Sequence, residues 1–501
     1  MVGWCGSERE GTASRSGSLF SLFAEQAARV PDKAALVLED GSKLTYAELR
    51  ALAGQFCAAL AAHNIAKGAR IVVQVGKCAD AVALYLACLQ SGVIFVPLNT
   101  AYTDAEVSYF LEDSQPGLFV HDEGRTPLWQ TSRTLAALGA EARELASAPD
   151  VVPCEASDVA AICYTSGTTG RSKGAMITHG NMASNARTLI ALWRFTDQDV
   201  LLHILPIFHV HGLFVALHCA LFSGATILFE TGFETGRVRT LLRTTSVMMG
   251  VPTHYTRLLG DTAFGSADCG SMRLFLCGSA PLLAETHRQF EERTGLRILE
   301  RYGMTEAGMI TSNPYDGARV AGTVGFALPG VDARVRNAEN MLVGADEVGT
   351  LEIKGPNVFS GYWQMPDKTE ESFTPDGWFI TGDLVTQAHD GRVTIVGRAK
   401  DLIIAGGYNI YPKEIESVLD DMPGVEESAV VGIAHPDFGE SVVAVIVPRN
   451  GADIDAAQVA SWVEARLARF KHPRHIHIVD SLPRNTMGKV QKAALRQIYA
   501  A

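Results

Sequence analysis

The chain has 501 residues, 47% of them apolar and 20% charged, with a net charge of −12. That length holds two or more domains, one of them with a large core, while the acidic balance argues against the basic surface that a nucleic-acid partner needs. Nine cysteines without C-x-x-C pairs or His-rich spacing argue against a zinc site and fit reduced thiols in a cytoplasmic protein.

No run approaches the apolar length needed to span a membrane. The longest candidate, Leu213 to Phe222, is interrupted by His218 and ends at Ser223-Gly224. Residues 1–18 are rich in Gly and Ser and contain Glu8 and Glu10, so they resemble neither a signal peptide nor an acid-poor transit peptide and read as a flexible tail. Thr45, with Glu48 three residues on, is a capping box that opens a helix. Ile71–Val75 reads as a strand, Asp80 as the N-cap of a helix from Ala81 to Gln90, and Ile94–Asn99 as a further strand. Alternation of this kind predicts an α/β fold of parallel sheets with helices on their faces.

Asp158–Tyr164 is a short apolar run that reads as a buried strand. It runs into Thr165-Ser166-Gly167-Thr168-Thr169-Gly170-Arg171-Ser172-Lys173-Gly174, after which an Ala-rich stretch beyond Asn181 reads as a helix. The loop's glycines allow close backbone approach to a ligand. Its hydroxyls, free N–H groups and lysine suit phosphate oxygens. The P-loop spacing G-x-x-x-x-G-K-[ST] is absent. The spacing S-G-T-T-G-x-x-K-G instead resembles the phosphate loop of the adenylate-forming superfamily, which comprises acyl-CoA synthetases, adenylation domains and luciferases. The resemblance implies a large N-terminal domain of βα-layered sheets and a small mobile α+β C-terminal domain. It also implies ATP, Mg2+ and coenzyme A, and roles for Thr165, Ser166, Gly167, Thr168, Thr169, Gly170 and Lys173 at the ATP phosphates.

Further motifs carry the likeness along the chain. Leu202–Gly212 holds His203, His209 and His211. A metal site, a packed histidine and a substrate-facing imidazole are all open for this cluster. The resemblance implies the last for His209, at the mouth of the acid pocket, where it would steer the acid carboxylate and offset anionic repulsion. Val247–Gly250 reads as a strand, and Pro252 suits the first turn of the helix after it. That places Arg257 one turn in, either facing solvent or as a buried cation awaiting a second substrate carboxylate.

Met272–Cys277 reads as a strand ending in Gly278-Ser279-Ala280-Pro281, a small-residue loop at a strand's C-terminal end, where α/β sheets bind ligands. In the family this loop borders adenine and the acyl group. The string Leu299-Glu300-Arg301-Tyr302-Gly303-Met304-Thr305-Glu306 implies a nucleotide wall, with Tyr302 under adenine, Thr305 on a phosphate and Glu306 on magnesium. Asp383, placed after a short strand Gly377–Ile380, would accept the ribose hydroxyls, and Arg398 would lie by ribose and phosphates.

Lys400 matches the family's hinge, giving expected domains of 19–399 and 400–501. Beyond it, Gly406, Gly407 and Tyr408 would face the thiol tunnel. Strands are expected at Glu427–Val431 and Ser441–Val447, with a helix around Ala456–Ala468. Lys489 matches the family's catalytic lysine, a positioned cation between the acid carboxylate and the α-phosphate.

The implied activity is that of an AMP-forming acid–CoA ligase, acting on small molecules as a monomer or homodimer. Pro97–Tyr102, His211–Ala216, Gly250–Leu259 and Thr311–Gly317 look like malonyl-CoA synthetases. A short dicarboxylate needs a fixed cation at the far end of its pocket. Arg257 is the first choice and Arg301 the second, with His209 and Ser279 beside the acid and Met304 and Met309 limiting chain length. The alternatives are a medium-chain or aryl-acid ligase and a catalytically silent nucleotide-binding or regulatory protein.

Overall fold

The computed structural model describes residues 18–148, 150–165, 172–405, 408–436, 438–485 and 488–500. Two largely parallel sheets carry the site. Their inner strands, such as Ile94–Pro97, Val247–Gly250 and Leu274–Cys277, are buried throughout. Strands covered on both faces need no alternation of polar and apolar residues, which is why these read as continuous apolar runs.

The larger sheet has nine strands. Six parallel ones lie side by side in the order Ile298–Met304, Leu274–Cys277, Val247–Gly250, Val200–His203, Thr226–Phe229 and Ala34–Leu38, with antiparallel strands at either edge. The second sheet has six strands and ends in the antiparallel pair Val159–Thr165 and Lys173–Thr178. Both sheets feed one apolar cluster, which also takes in the buried helix Ala79–Ser91. An antiparallel sheet of four strands follows, built from Asp332–Arg336, Gly349–Lys354, Phe379–Gln387 and Val393–Arg398. Residues beyond 402 form a separate five-stranded sheet with its own core around Ile403, Ile415, Leu419, Val430 and Val442.

The capping box at Thr45 and Glu48 forms as expected, opening the helix Tyr46–Ala62. Several local expectations are corrected. The helix expected from Ala81 starts at Ala79, and Asp80 does not cap it because both its oxygens are engaged by Arg143 at 2.6 and 3.0 Å. Lys173 and Gly174 belong to a strand and not to the glycine loop, since Thr165 pairs across to Lys173 and Tyr164 to Gly174. Asp383 sits inside Phe379–Gln387, a strand longer than expected, and not after a short one. Ser18 is buried, so the expected tail gives way to packed chain at that residue. Beyond 402 the strands extend further than expected, to Val425–His435 and Gly439–Pro448, whereas the helix Ala456–Glu464 stops short of Ala468.

The N-terminal ends of two parallel strands, Val200–His203 and Leu274–Cys277, opposite the ends that carry the site, are braced by one ion pair. Asp199, 4% exposed, accepts from Arg273 through Nε at 2.7 Å and Nη2 at 2.8 Å, and from Ser246 and the Thr196 N–H. Arg273 also donates to the Trp193 and Arg194 carbonyls, tying strand Leu274–Cys277 to the end of helix His179–Leu192. Removing one partner of a buried pair leaves an uncompensated charge. Asp199→Ala should therefore cost about 3 kcal/mol, seen as a lowered urea midpoint. A midpoint within error of the parent would mean that Arg273 finds other acceptors.

Candidate active site

Three loops leave the C-terminal ends of neighbouring parallel strands, the position where open α/β sheets bind ligands. After His203 the chain runs through Pro206 to His211, after Gly250 it turns into the helix Pro252–Gly260, and after Cys277 comes Gly278-Ser279. Strand Ile298–Met304 brings Arg301 up beside them.

Arg301 is 3% exposed, and its Nε and Nη2 have no partner among the described residues. Gly278 makes room for it: a Cβ there would lie 2.2 Å from Arg301 Nη1. The next residue, Ser279, adopts φ +70° and brings its Oγ to 3.2 Å from His211 Nδ1. His211 is 1% exposed and its Nε2 is also without a partner among the described residues. The His211 N–H donates to His209 Nδ1 at 3.2 Å, so neutral His209 carries its proton on Nε2.

Burial pushes His209 down to about 3, helped by the charges of Lys489 and Arg301, and burial with Arg301 also holds His211 well below the ordinary imidazole value. Both imidazoles are thus neutral. In this state His209 offers an N–H donor without a charge. His211–Ala216 forms a π-helix, a geometry frequent at functional sites. It starts tightly, since a Cβ on Gly212 would lie 2.0 Å from the Pro206 carbonyl oxygen. His203 Nε2 lies 3.0 Å from the Gly212 carbonyl, and the Lys77 ammonium donates to His203 Nδ1 at 2.7 Å.

Tyr302 follows Arg301 on the same strand and so faces the opposite side. Its hydroxyl donates to Asp383 Oδ2, and Arg398 Nε holds Asp383 Oδ1 at 2.7 Å. Asp383 and Arg398 are direct cross-strand partners, which fixes this pair by register. The buried Glu306 accepts from the Tyr362 hydroxyl at 3.0 Å and lies 3.5 Å from Thr165 Oγ1. The Lys173 ammonium sits over the Tyr362 ring at 4.2 Å.

Lys489 lies in a turn closed by reciprocal bonds with Asn485, and Gly488 packs near Thr253 of the helix Pro252–Gly260. Its side chain stays accessible, but the surrounding protein lowers the ammonium's pKa. Arg398 and Arg301 reinforce that shift, while Asp383 and Glu306 oppose it. The lysine therefore stands within electrostatic range of both halves of the site.

Thr165, Lys173, Tyr302, Glu306, Asp383, Arg398, Arg301, His209, Ser279 and Lys489 are thus brought together. Thr305 lies nearby, lining a cavity of about 20 Å³ with Asn181, Asn185 and Asn357. Gly303 allows backbone contact, with the Gly308 oxygen 2.1 Å from where its Cβ would be. Ala280 continues the Gly278 loop and is half-buried, as is Met304, whose Sδ is 4.0 Å from the Tyr302 hydroxyl. Ser166, Gly167, Thr168, Thr169, Gly170, Gly406 and Gly407 lie outside the described residues. Tyr408 is exposed and stacks on Phe470 at 4.6 Å, and Lys400 sits in the short turn Ala399–Asp401.

One expectation is corrected. Arg257 is exposed on the helix Pro252–Gly260, 6.0 Å over the Phe233 ring, and is not the buried cation; Arg301 is. Arg301 lies against Gly278, in the loop that also carries Ser279. Glu300 braces two loops: its carboxyl group accepts from the Gly322 N–H at 3.1 Å and from Leu282. Tyr362, His211 as a pocket residue and the Lys77–His203 pair were not singled out by the sequence. A lone Tyr in Gly361-Tyr362-Trp363 carries no local signal, and only the fold brings it to Glu306.

Residues 23–363 match the family model described as AMP-binding enzyme, and residues 414–489 match that of the AMP-binding enzyme C-terminal domain. The chain belongs to the AMP-binding enzyme family. A malonate–CoA ligase from Arabidopsis thaliana is 35% identical, covering 97% of this chain and 90% of the relative. A feruloyl-CoA synthase from an Amycolatopsis species is also 35% identical, covering 94% and 97%. The crystal structure of ATP-bound MatB from Rhodopseudomonas palustris is 48% identical, covers 97% and 99%, and superposes with a TM-score of 0.94.

Burial pushes the Glu300 carboxyl up to about 8, with hydrogen bonds from Gly322 and Leu282 opposing the shift. The folded state then holds this proton more tightly than the unfolded chain. Its stabilising contribution is complete below pH about 4.5, the ordinary Glu value, and is lost as pH rises through about 8. Glu300→Gln should flatten that alkaline decline in a pH series of urea midpoints. An unchanged slope would place Glu300 in its ionised form.

Proposed function

We propose that this protein is an ATP-dependent malonate–CoA ligase that works through an acyl-adenylate and releases pyrophosphate and AMP. The observation that carries the reading is Arg301, a buried guanidinium with open donors on the acid side of the site. Leaving such a cation unpaired costs several kcal/mol, and a second carboxylate on the substrate removes that cost through paired hydrogen bonds. A monocarboxylate leaves it unpaired. The similarity to the malonate–CoA ligase and to ATP-bound MatB supports the same choice.

One malonate carboxylate rests by Arg301 while the other attacks the α-phosphorus of ATP. Lys489 and the neutral N–H of His209 hold the attacking carboxylate, and the lysine ammonium offsets the charge that develops as pyrophosphate leaves. Tyr302, Asp383 and Arg398 position the nucleoside. Met304 and Met309 bound the acyl group, which keeps longer acids out. Glu306 and Thr165 present hard oxygen donors side by side, a set that fits magnesium, and Mg2+ bound there supplies charge neutralisation at the phosphates.

The coenzyme A thiol then attacks the acyl carbonyl and AMP departs. We infer that the chain divides at Lys400 into domains of 19–399 and 400–501, and that the smaller one turns between the two steps. That motion would bring in the exposed face of Tyr408, Phe470 and Phe438, the last under Arg474 at 4.1 Å. Aromatic and basic side chains together suit a nucleotide such as coenzyme A. The free thiols at the eight described cysteines support a reducing, cytoplasmic setting.

ATP–pyrophosphate exchange with malonate, methylmalonate, propanoate, octanoate and benzoate tests the reading. Malonate should lead the panel, and a lead by octanoate or benzoate would assign a medium-chain or aryl-acid ligase instead. Arg301→Met should lower exchange with malonate about 100-fold and leave propanoate little changed. Arg257→Ala, at the rim, should lose far less; the reverse order would move the distal carboxylate to Arg257. Lys489→Ala should cut exchange about 100-fold or more yet still form thioester from supplied malonyl-adenylate. Parent-like exchange would remove Lys489 from the first step.

A further inference from the structure

The site holds a second set of open donors that the reaction just described does not use. His211 is 1% exposed, neutral, and without a partner at Nε2 among the described residues. It shares a two-residue loop with the open guanidinium: Gly278 admits Arg301, and Ser279 holds His211 Nδ1 at 3.2 Å. Ser279 reaches the ring from a left-handed backbone, φ +70°, an unusual conformation for a residue with a side chain. The backbone beside the ring is tied down. It opens a π-helix whose next residue, Gly212, is fixed through its carbonyl to His203, which Lys77 holds in turn.

A buried N–H without an acceptor carries a desolvation penalty, as an open guanidinium does. Arg301 and His211 are held at one glycine-serine step by other atoms and stand within electrostatic range of each other, so an anion that reaches both sets of open donors removes both penalties. A Ser279 hydroxyl that donates to Nδ1 leaves the ring proton on Nε2, the nitrogen lacking a partner.

We propose that His211 is a specificity-determining residue that donates through Nε2–H to the distal carboxylate of the acid beside Arg301, with Ser279 as the positioning residue that sets its tautomer. This rests on the dicarboxylate reading above. A neutral second donor has a physical advantage here. A further cation beside Arg301 and within range of Lys489 would add repulsion when no substrate is bound, whereas an N–H adds direction without charge.

The test compares ATP–pyrophosphate exchange with malonate and propanoate for His211→Phe, which keeps a ring without the donor, and His211→Gln, whose amide restores an N–H near Nε2. The expected result for the Phe variant is a KM for malonate raised about tenfold or more, kcat changed less than threefold, and a malonate-over-propanoate preference reduced by the same factor as KM. The Gln variant should recover most of that preference. Ser279→Ala should shift preference in the same direction by a smaller factor. ATP binding and thermal midpoint, measured alongside, report the fold.

Equal loss with both acids in the Phe variant would overturn the proposal, because a merely structural role moves both. Full malonate preference in that variant would overturn it as well. If the Phe variant does not fold, the Gln and Ser279→Ala variants decide: parent-like preference in Ser279→Ala together with loss of preference in Gln would remove the tautomer-held donor. A parent enzyme that does not favour malonate over propanoate would instead sink the dicarboxylate reading, and this inference with it.

Discussion

A guanidinium buried without its own anion is the constraint around which this site is built. Inside a protein, such a charge persists only where the surroundings over-determine it or a ligand completes it. Here the surroundings do little to pair Arg301. Its neighbours are the thiols of Cys277 and Cys219 and the phenol of Tyr255, all groups that burial keeps protonated. Burial correspondingly lowers the arginine's own pKa, to about 10, which still leaves it charged at neutral pH. The glycine at 278 and the apolar strand ends hold space for it but offer no counter-charge.

Burial, with the same cation adding to it, explains the state of the histidines. His209 and His211 are held neutral first by desolvation and then by the positive charge of Arg301, joined at His209 by Lys489. A cluster that looks in sequence like a metal set or a positive patch becomes a set of directional N–H donors. Among the described residues no group of His, Cys, Asp and Glu is arranged to hold a metal ion. Geometry separates these readings where composition could not: His209 Nδ1 is taken by a backbone N–H, and His203 is closed on both nitrogens by Lys77 and Gly212.

Much of the fold was legible because parallel strands buried on both faces leave apolar runs, and because the capping box at Thr45 is a local chemical signal. Strand ends were less legible. The strand holding Asp383 continues through Thr381-Gly382, although Gly382 has φ +72°, because pairing with Gly349–Lys354 and Val393–Arg398 outweighs local propensity. Asp80 looked like a cap because Asp is a good one, yet Arg143, 63 residues away, claims its carboxylate. The string from Glu300 to Glu306 was readable as one motif, since most of it lies on the single strand Ile298–Met304. The acid pocket was not, since Arg257 and Arg301 differ only in burial, which depends on which strand ends meet. The sequence offered both as candidates; the Gly278 gap is what buries Arg301 and not Arg257.

The charges around the site close the physical case. The chain as a whole is acidic, at −12, yet Arg301, Arg398, Lys173 and Lys489 converge here, with Asp383 and Glu306 among them. Asp383 is already engaged by Arg398 and Tyr302, and Glu306 by Tyr362, so neither is free to neutralise Arg301. A cleft of one sign with low-dielectric walls focuses field lines and raises the local concentration of the opposite sign. Polyphosphate and dicarboxylate are both anions, and each would be repelled by the acidic surface at large. On the proposed reading, that local excess of positive charge would let two mutually repelling anions occupy one cleft, and Lys489, within range of both halves, would offset the charge where they meet.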